Sequence, residues 1–236
     1  MWNNFVQVLY KMDTIVIVLI IVIVLLVYFL YKASNTSSSS STLYNLNNSN
    51  SAIVNSDLTN PTSYTFSYES WIYVNTWNNT NDKVFYYASP SGTTDLTSSN
   101  TVISLTLGKS TPTLYCKINS SASNISNPPI VVSTNFPIQK WVYVVISVDS
   151  QIVDCYLDGK LIKSTKLLAL PNTSPTYDIN FGTCDAYITG FKRNANAVNP
   201  QTVWSNYMSG NGYSGNSYGM NVAITKDNVT MSEVSY

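Results

Sequence analysis

Few side chains in this sequence are equipped for chemistry, and their spacing narrows the choice further. The chain has no histidine, so neither a Ser-His-Asp nor a Cys-His centre can be assembled, and no metal can be held by imidazole. Cys116, Cys155 and Cys184 lie 39 and 29 residues apart, without the C-x-x-C pair of a zinc site. Two states are open to them: one disulfide with a thiol left over, or three buried reduced thiols acting as small apolar residues, which is the expectation. The only glutamates are Glu69 and Glu233, so paired-carboxylate hydrolysis would have to rely on aspartate. Asp149, Asp154 and Asp158 fall within ten residues and could offer hard oxygens to calcium, although Asp158 reads more simply as a turn residue. Asp178 and Asp185 flank a strand end and carry the same weaker option. Six aromatics, Trp71, Tyr73, Trp77, Tyr86, Tyr87 and Trp141, could stack on pyranose faces. A sandwich core needs large aromatics too, and Trp141 at a strand start reads as structural. Glycan or partner contact is therefore placed on Trp71, Tyr73, Trp77, Tyr86 and Tyr87.

The composition around these residues leans away from catalysis. Charged residues make up 10% of 236, with twelve basic against twelve acidic side chains, so there is no electrostatic footprint for nucleic acid. Ser and Thr together number 57, Asn 28 and Tyr 18. A neutral surface of these types hydrogen-bonds at little desolvation cost, and Tyr supplies contact area with few rotamers to freeze. Seven N-x-[ST] sequons begin at Asn35, Asn47, Asn78, Asn119, Asn124, Asn172 and Asn228, about the number chance would give. They bear on the surface only in a secretory lumen.

The elements that must carry these residues begin with an uncharged run of eighteen, TIVIVLIIVIVLLVYFLY, from Thr14 to Tyr31. As a helix it spans roughly 27 Å, close to a bilayer's hydrocarbon thickness. Thr14, Ile15, Val16, Leu25, Leu26 and Tyr31 would sit inside it, with Tyr28, Phe29 and Tyr31 at one boundary. A cleaved signal peptide is the rival, but its apolar core is shorter and an A-x-A-like site follows it. Residues 1–33 are thus expected to be a stub and transmembrane anchor, and 34–62 a Ser/Asn-rich tether.

From Ser63 the pattern becomes that of successive strands. Residues 64–74 alternate, with Phe66, Tyr68, Ser70, Ile72 and Val74 on one face, and 141–148 (WVYVVISV) are apolar on both faces. Asp158-Gly159 sits where a two-residue type I′ turn belongs. Near the end, Asn199 can cap a helix that begins at Pro200 and presents Val203, Trp204, Tyr207 and Met208 on one face. The expectation is a mainly β, antiparallel β-sandwich over 63–210, followed by a Gly/Asn/Tyr-rich tail over 211–236.

Three segments resemble the laminin G-like, concanavalin A-like lectin/glucanase sandwich. Residues 66–77 (FSYESWIYVNTW) resemble its early aromatic strand. Residues 141–159 (WVYVVISVDSQIVDCYLDG) resemble its "W … Y-x-D-G" hairpin, with Trp141, Tyr156, Asp158 and Gly159 at the matching places. Residues 179–182 (INFG) and 186–208 resemble its closing strand and helix. The chain departs from the pattern in telling ways. The common His after the hairpin Trp is Tyr143, the acids that often help a calcium site are replaced by Ile188-Thr189-Gly190, and no E-x-D-x-x-E strand is present. The resemblance therefore implies a jelly-roll fold and no enzymatic activity.

An N-terminal anchor, a polar tether and a His-free, Asn/Tyr-rich sandwich are also similar to membrane-anchored proteins of large DNA viruses. That similarity implies a single-pass virion protein tethering an inner membrane to the capsid shell, with the lipid bilayer and other capsid proteins as partners and no cofactor beyond the calcium option. The alternative it leaves is a membrane-anchored, lectin-like surface protein that binds glycans.

Overall fold

The computed structural model describes residues 16, 19, 21–26, 42–90, 101–122, 124–173 and 176–211, with the backbone of 221–226 and 229–235. The chain divides into two units, Met1–Ser39 and Ser40–Tyr236. In the first, Val16, Leu19 and residues 21–26 are helical, and these apolar side chains are exposed. Of the expected anchor, Val16, Leu25 and Leu26 belong to this helical stretch, while Thr14, Ile15 and Tyr31 lie outside the described residues. Among the described residues no helix is long and apolar enough to cross a membrane.

The second unit is a sandwich of two antiparallel sheets. Strands β1 (Tyr44–Asn45), β2 (Thr65–Val74), β7 (Trp141–Asp149), β8 (Ile152–Leu157), β9 (Lys160–Lys166) and β11 (Ala186–Asn194) form the larger sheet, in the order β1-β11-β2-β7-β8-β9. Strands β3 (Lys83–Pro90), β4 (Ile103–Leu107), β5 (Leu114–Ile118), β6 (Ile130–Ser133) and β10 (Tyr177–Phe181) form the smaller one, in the order β10-β3-β4-β5-β6. In the tail, β12 (Asn221–Lys226) and β13 (Val229–Ser235) make a hairpin of their own.

Alternation sorts the side chains, because successive residues of a strand point to opposite faces. Phe66, Tyr68, Ile72 and Val74 of β2 meet Val142, Val144, Ile146 and Val148 of β7 in one core cluster, shared with Ile103, Leu105, Cys116 and Ile179 of the other sheet. The opposite face of β7 is apolar for a second reason. Tyr143 and Val145 pack with Tyr156 of β8 beneath helix α1 (Pro200–Met208), which seats Val203 and Tyr207 on them. Asn199 caps α1, its Oδ1 accepting from Thr202 N at 2.8 Å. The apolar stripe is narrower than the sequence pattern suggests, since Trp204 and Met208 stay exposed at 45% and 65%. The Asp158-Gly159 turn has both residues at positive φ, 47° and 77°, as type I′ requires. A side chain on Gly159 would also meet the Trp204 ring at 2.8 Å, so glycine there permits both the turn and the seating of α1.

The region expected as a free tether joins the sandwich from residue 42 onward. Tyr44 and Asn45 pair with Ile188 and Tyr187 of the larger sheet, and Leu46 is fully buried. Nine residues further, Ile53 exchanges two 2.9 Å hydrogen bonds with Ile179 of the smaller sheet. Tyr44 stacks on Phe181 with centroids 4.1 Å apart. The segment is thus a strap across one open edge of the sandwich. Its Ser/Asn-rich composition hides this, because one buried residue, Leu46, and the half-buried Tyr44, Ile53 and Leu58 are enough to hold it.

Asp185 knots the strap to the sheet end. Its carboxylate accepts from Thr76 Oγ1 (2.5 Å), Asn47 Nδ2 (2.8 Å) and Asn75 Nδ2 (3.0 and 3.2 Å). These donors, Thr76 first and Asn47 next, hold its pKa below the ordinary carboxylate value against a smaller opposing effect of desolvation. A carboxylate with a lowered folded-state pKa stabilises the fold above its unfolded value and loses that contribution as pH falls through the folded one. Wild type should therefore be more stable than Asp185→Asn at neutral pH. Thermal melts of the two should converge as pH drops below the normal carboxylate range, and a gap independent of pH would contradict the assignment.

Candidate functional site: a polar groove on the smaller sheet

The outer face of the smaller sheet carries an open groove of about 650 Å³. Register builds its floor, since directly paired residues share a face. Val84, Thr106 and Tyr115 form one rung, and Tyr87, Ser104 and Lys117 the next. The wall comes from the β4–β5 turn and the loop that leads into β3. Lys109 N donates to Asp82 Oδ1 at 2.8 Å, and Trp77 Nε1 donates to Gly108 O at 3.0 Å. The loop before β3 is itself held from within. The buried Lys83 ammonium donates to Asn78 O (2.9 Å), Asn78 Oδ1 (2.7 Å) and Asn81 O.

The groove therefore presents one carboxylate (Asp82), two ammonium groups (Lys109 and Lys117), the hydroxyls of Ser104 and Thr106, and the half-buried Tyr115 ring. Hydroxyl and charged donors and acceptors beside one aromatic face are what a polyhydroxylated ligand requires. Among the described residues lining it, Asp82 is the only carboxylate, whereas paired-carboxylate hydrolysis uses two.

The five aromatics singled out from sequence do not come together. Tyr86 is in the core, stacked on Tyr68 at 5.6 Å and edge-on to Phe191 at 5.0 Å. Tyr87, its neighbour, is on the groove rung but 6% exposed. A bulge between Val84 and Tyr86 buries Phe85 and Tyr86 in succession. Trp77 braces the groove wall. Trp71 is roofed by α1, stacked on Tyr207 at 5.6 Å. Tyr73 lies on the outer face of the larger sheet in a rung with Tyr187 and Trp141, at 6.3 and 5.5 Å and tilted by 55° and 51°. Rings so tilted pack against one another and offer no shared plane to a sugar. The residues that sequence reasoning missed, Asp82, Lys109 and Tyr115, had one legible signal. In LYCKI, Leu114, Cys116 and Ile118 point inward, which turns Tyr115 and Lys117 outward.

The other candidate chemistry is dispersed. Asp149 is exposed at the end of β7, and Asp154 lies on β8. Asp158 accepts from Tyr143 N (3.0 Å) and from Lys140 Nζ (3.2 Å), which makes it a turn brace. Asp178 accepts from Asn55 N at 2.9 Å. Among the described residues no group of three acids or cysteines is placed to hold a metal ion. All three cysteines are free thiols. Burial pushes Cys155 and Cys184 up to about 12 and Cys116 well above its ordinary value, so none offers a thiolate at neutral pH.

On the larger sheet one carboxylate is buried. Glu69 is 4% exposed, and its Oε1 accepts from Asn194 Nδ2 (2.5 Å). Its Oε2 accepts from the Tyr143 hydroxyl (2.5 Å) and Asn206 Nδ2 (2.8 Å). Burial first, and the adjacent Glu69 second, drive the Tyr143 hydroxyl far above its usual pKa and keep it a donor.

Residues 46–192 match the family model described as the concanavalin A-like lectin/glucanases superfamily. No curated protein matches the chain. Similar solved structures include the botulinum neurotoxin serotype G binding domain, at 18% identity and TM-score 0.49, covering 73% of this chain and 47% of that one. The botulinum neurotoxin DC binding domain in complex with SialylT is 21% identical, with TM-score 0.47 and coverage of 64% and 37%. Trypanosoma rangeli sialidase is 13% identical, with TM-score 0.46 and coverage of 62% and 23%. The chain thus spans less than half the length of each of these proteins.

Proposed function

The chain belongs to the concanavalin A-like lectin/glucanase superfamily, and from that premise we propose that it is a non-enzymatic carbohydrate-binding protein held at a membrane by its apolar N-terminal run. The observation that carries the reading is the groove on the smaller sheet. Asp82 and the hydroxyls of Ser104 and Thr106 can accept from and donate to sugar hydroxyls, and Tyr115 can take a pyranose face. A lone carboxylate in the described lining suits recognition and not glycosidic cleavage. Anchoring rests on the uncharged stretch from Thr14 to Tyr31, whose described residues expose Val, Leu and Ile side chains that lipid would cover.

The test is a glycan array probed with the full chain in detergent micelles, followed by titration of the best ligand. Tyr115→Ala and Asp82→Asn should each weaken binding about tenfold, the loss of about 1.4 kcal/mol. An array with no ligand above background, or affinities untouched by both substitutions, would remove the reading. A second reading, attachment of the membrane-held sandwich to the capsid shell of a virion, draws on the half-exposed rung of Tyr187, Tyr73 and Trp141. It would gain ground if the array is empty and Tyr73→Ala releases the protein from isolated particles.

A further inference from the structure

Strand β9 closes one edge of the larger sheet and pairs with β8 alone. Its sequence, KLIKSTK, is exposed at every residue except the half-buried Thr165. Register shows which backbone groups of this edge stay open. Thr165 and Lys163 lie opposite Val153 and Cys155 of β8, and Leu167 N donates to Gln151 O at 2.7 Å. Hydrogen-bonded pairs alternate along an antiparallel ladder. Thr165 and Lys163 therefore bond to β8, whereas Ser164 and Lys166 turn their N–H and C=O outward. Among the described residues no strand pairs with that outer side.

Two further features border the open edge. The first is charge. Lys160, Lys163 and Lys166 place three of the chain's twelve basic groups within seven residues, with no acid between them. Asp158, at the preceding turn, is already paired with Lys140 at 3.2 Å. On β8 the one acid is Asp154, opposite Ser164, so the edge is net basic. The second feature is a pocket of about 500 Å³ at the start of β9, lined by Val142, Leu157, Ile162, Trp204 and Tyr207 together with Lys160. Ile162 is the extra residue of a bulge, since Leu161 lies opposite Tyr156 and Lys163 opposite Cys155. Bulges re-aim side chains, and this one puts Ile162 in the same pocket as the exposed Trp204.

Together these features select one occupant. A lipid surface would cover the apolar side chains but leave the outward N–H and C=O groups of the strand unsatisfied. A second copy added edge to edge would set lysines against lysines. An extended peptide answers the backbone groups, and acidic side chains on it answer the lysines. We propose that the outer edge of β9 is a docking site for an extended acidic segment of a partner protein. The segment adds as a further strand beside Ser164 and Lys166 and seats one apolar side chain in the pocket between Ile162 and Trp204. This edge belongs to the other sheet from the groove and does not depend on it.

The experiment titrates the full chain, in neutral detergent micelles, with a short fluorescent peptide of alternating glutamate and valine that ends in phenylalanine. Anisotropy reads binding, and amide hydrogen exchange reads the edge. The peptide should bind, its counterpart with lysine in place of glutamate should not, and exchange at the Ser164 and Lys166 amides should slow. Lys163→Glu combined with Lys166→Glu should weaken binding at least tenfold. Ser164→Pro removes an outward N–H that β8 does not use, at an edge where proline is tolerated, and should weaken binding about as much. Trp204→Ala opens the pocket and should weaken it several-fold, whereas Tyr115→Ala in the groove should leave it unchanged. The proposal is overturned if no acidic peptide binds, if the basic peptide binds equally, or if the lysine and proline variants both bind normally. It is overturned as well if micelles containing phosphatidylserine protect the Ser164 and Lys166 amides and the peptide does not.

Discussion

Gly182→Ala is expected to be the most damaging single-methyl substitution in the sandwich. A Cβ at this position would lie 2.1 Å from Val84 O and 2.7 Å from Val84 Cβ, and no rotamer relieves a clash with backbone. Gly182 N donates to Phe85 O at 3.1 Å, and the neighbouring Cys184 thiol reaches Val84 O at 3.5 Å. The end of β10 therefore presses against β3 at its bulge, and added bulk must part the two strands. Overpacking against a fixed backbone warrants a loss of about 3–5 kcal/mol, which for a domain of this size lowers Tm by roughly 10 °C. Gly210→Ala is the control. Nothing lies within 4 Å of its Cβ position, and its φ of 77° alone should cost about 1 kcal/mol. Calorimetric melts of the two variants should differ severalfold in effect. Equal losses would show that the Gly182 contact relaxes freely.

Glu69→Ala comes second in size. It strands the Tyr143 hydroxyl of β7 and the Asn206 amide of α1, and takes from the Asn194 amide of β11 one of its two acceptors, Ser67 Oγ remaining at 3.0 Å. Each buried donor left without a partner costs about 1–3 kcal/mol. Water entering from the small cavity that Glu69 lines beside α1 recovers part of this, so the net loss should be about 2–4 kcal/mol. Tyr143→Phe removes one donor and leaves Glu69 two, for about 1–2 kcal/mol. In the double variant the two losses should fall short of additive, as members of one network do. Urea midpoints should move without a change in m, and the amides of α1 should exchange faster in Glu69→Ala. Strict additivity, or exchange unchanged in α1, would mean that the carboxylate does not hold the helix.

The parts of the fold that could be read from sequence were those written in local periodicity. The alternation of 64–74, the doubly apolar 141–148, the Asp158-Gly159 turn and the Asn199 cap each carry their own physics, and the structure realises them. The strap over 44–53 was not legible, because its pairing partners lie more than a hundred residues away and its composition is that of a tether. The candidate site fared worse for the same reason. Tyr86 and Tyr87 were expected to share a fate with other aromatics, but a bulge sends Tyr86 into the core. Glu69 gave no hint of its setting, since its partners are 74, 125 and 137 residues distant. Tyr115 could have been placed outward by parity alone, but parity does not say that Asp82 and Lys109 will close around it.

The strap also has a mechanical meaning. Tension arriving along the chain ahead of residue 42 reaches first the two-residue pairing of Tyr44 and Asn45 with β11, and then the Ile53 bridge to β10. Load on so short a ladder concentrates on a few bonds, which open one after another and do not share the force. The edge would peel like a tear strip while the longer β2–β7 pairing stays closed, and it would re-zip once the pull ceased. Under strain the protein would lengthen by a short, recoverable extension before the sandwich itself was at risk.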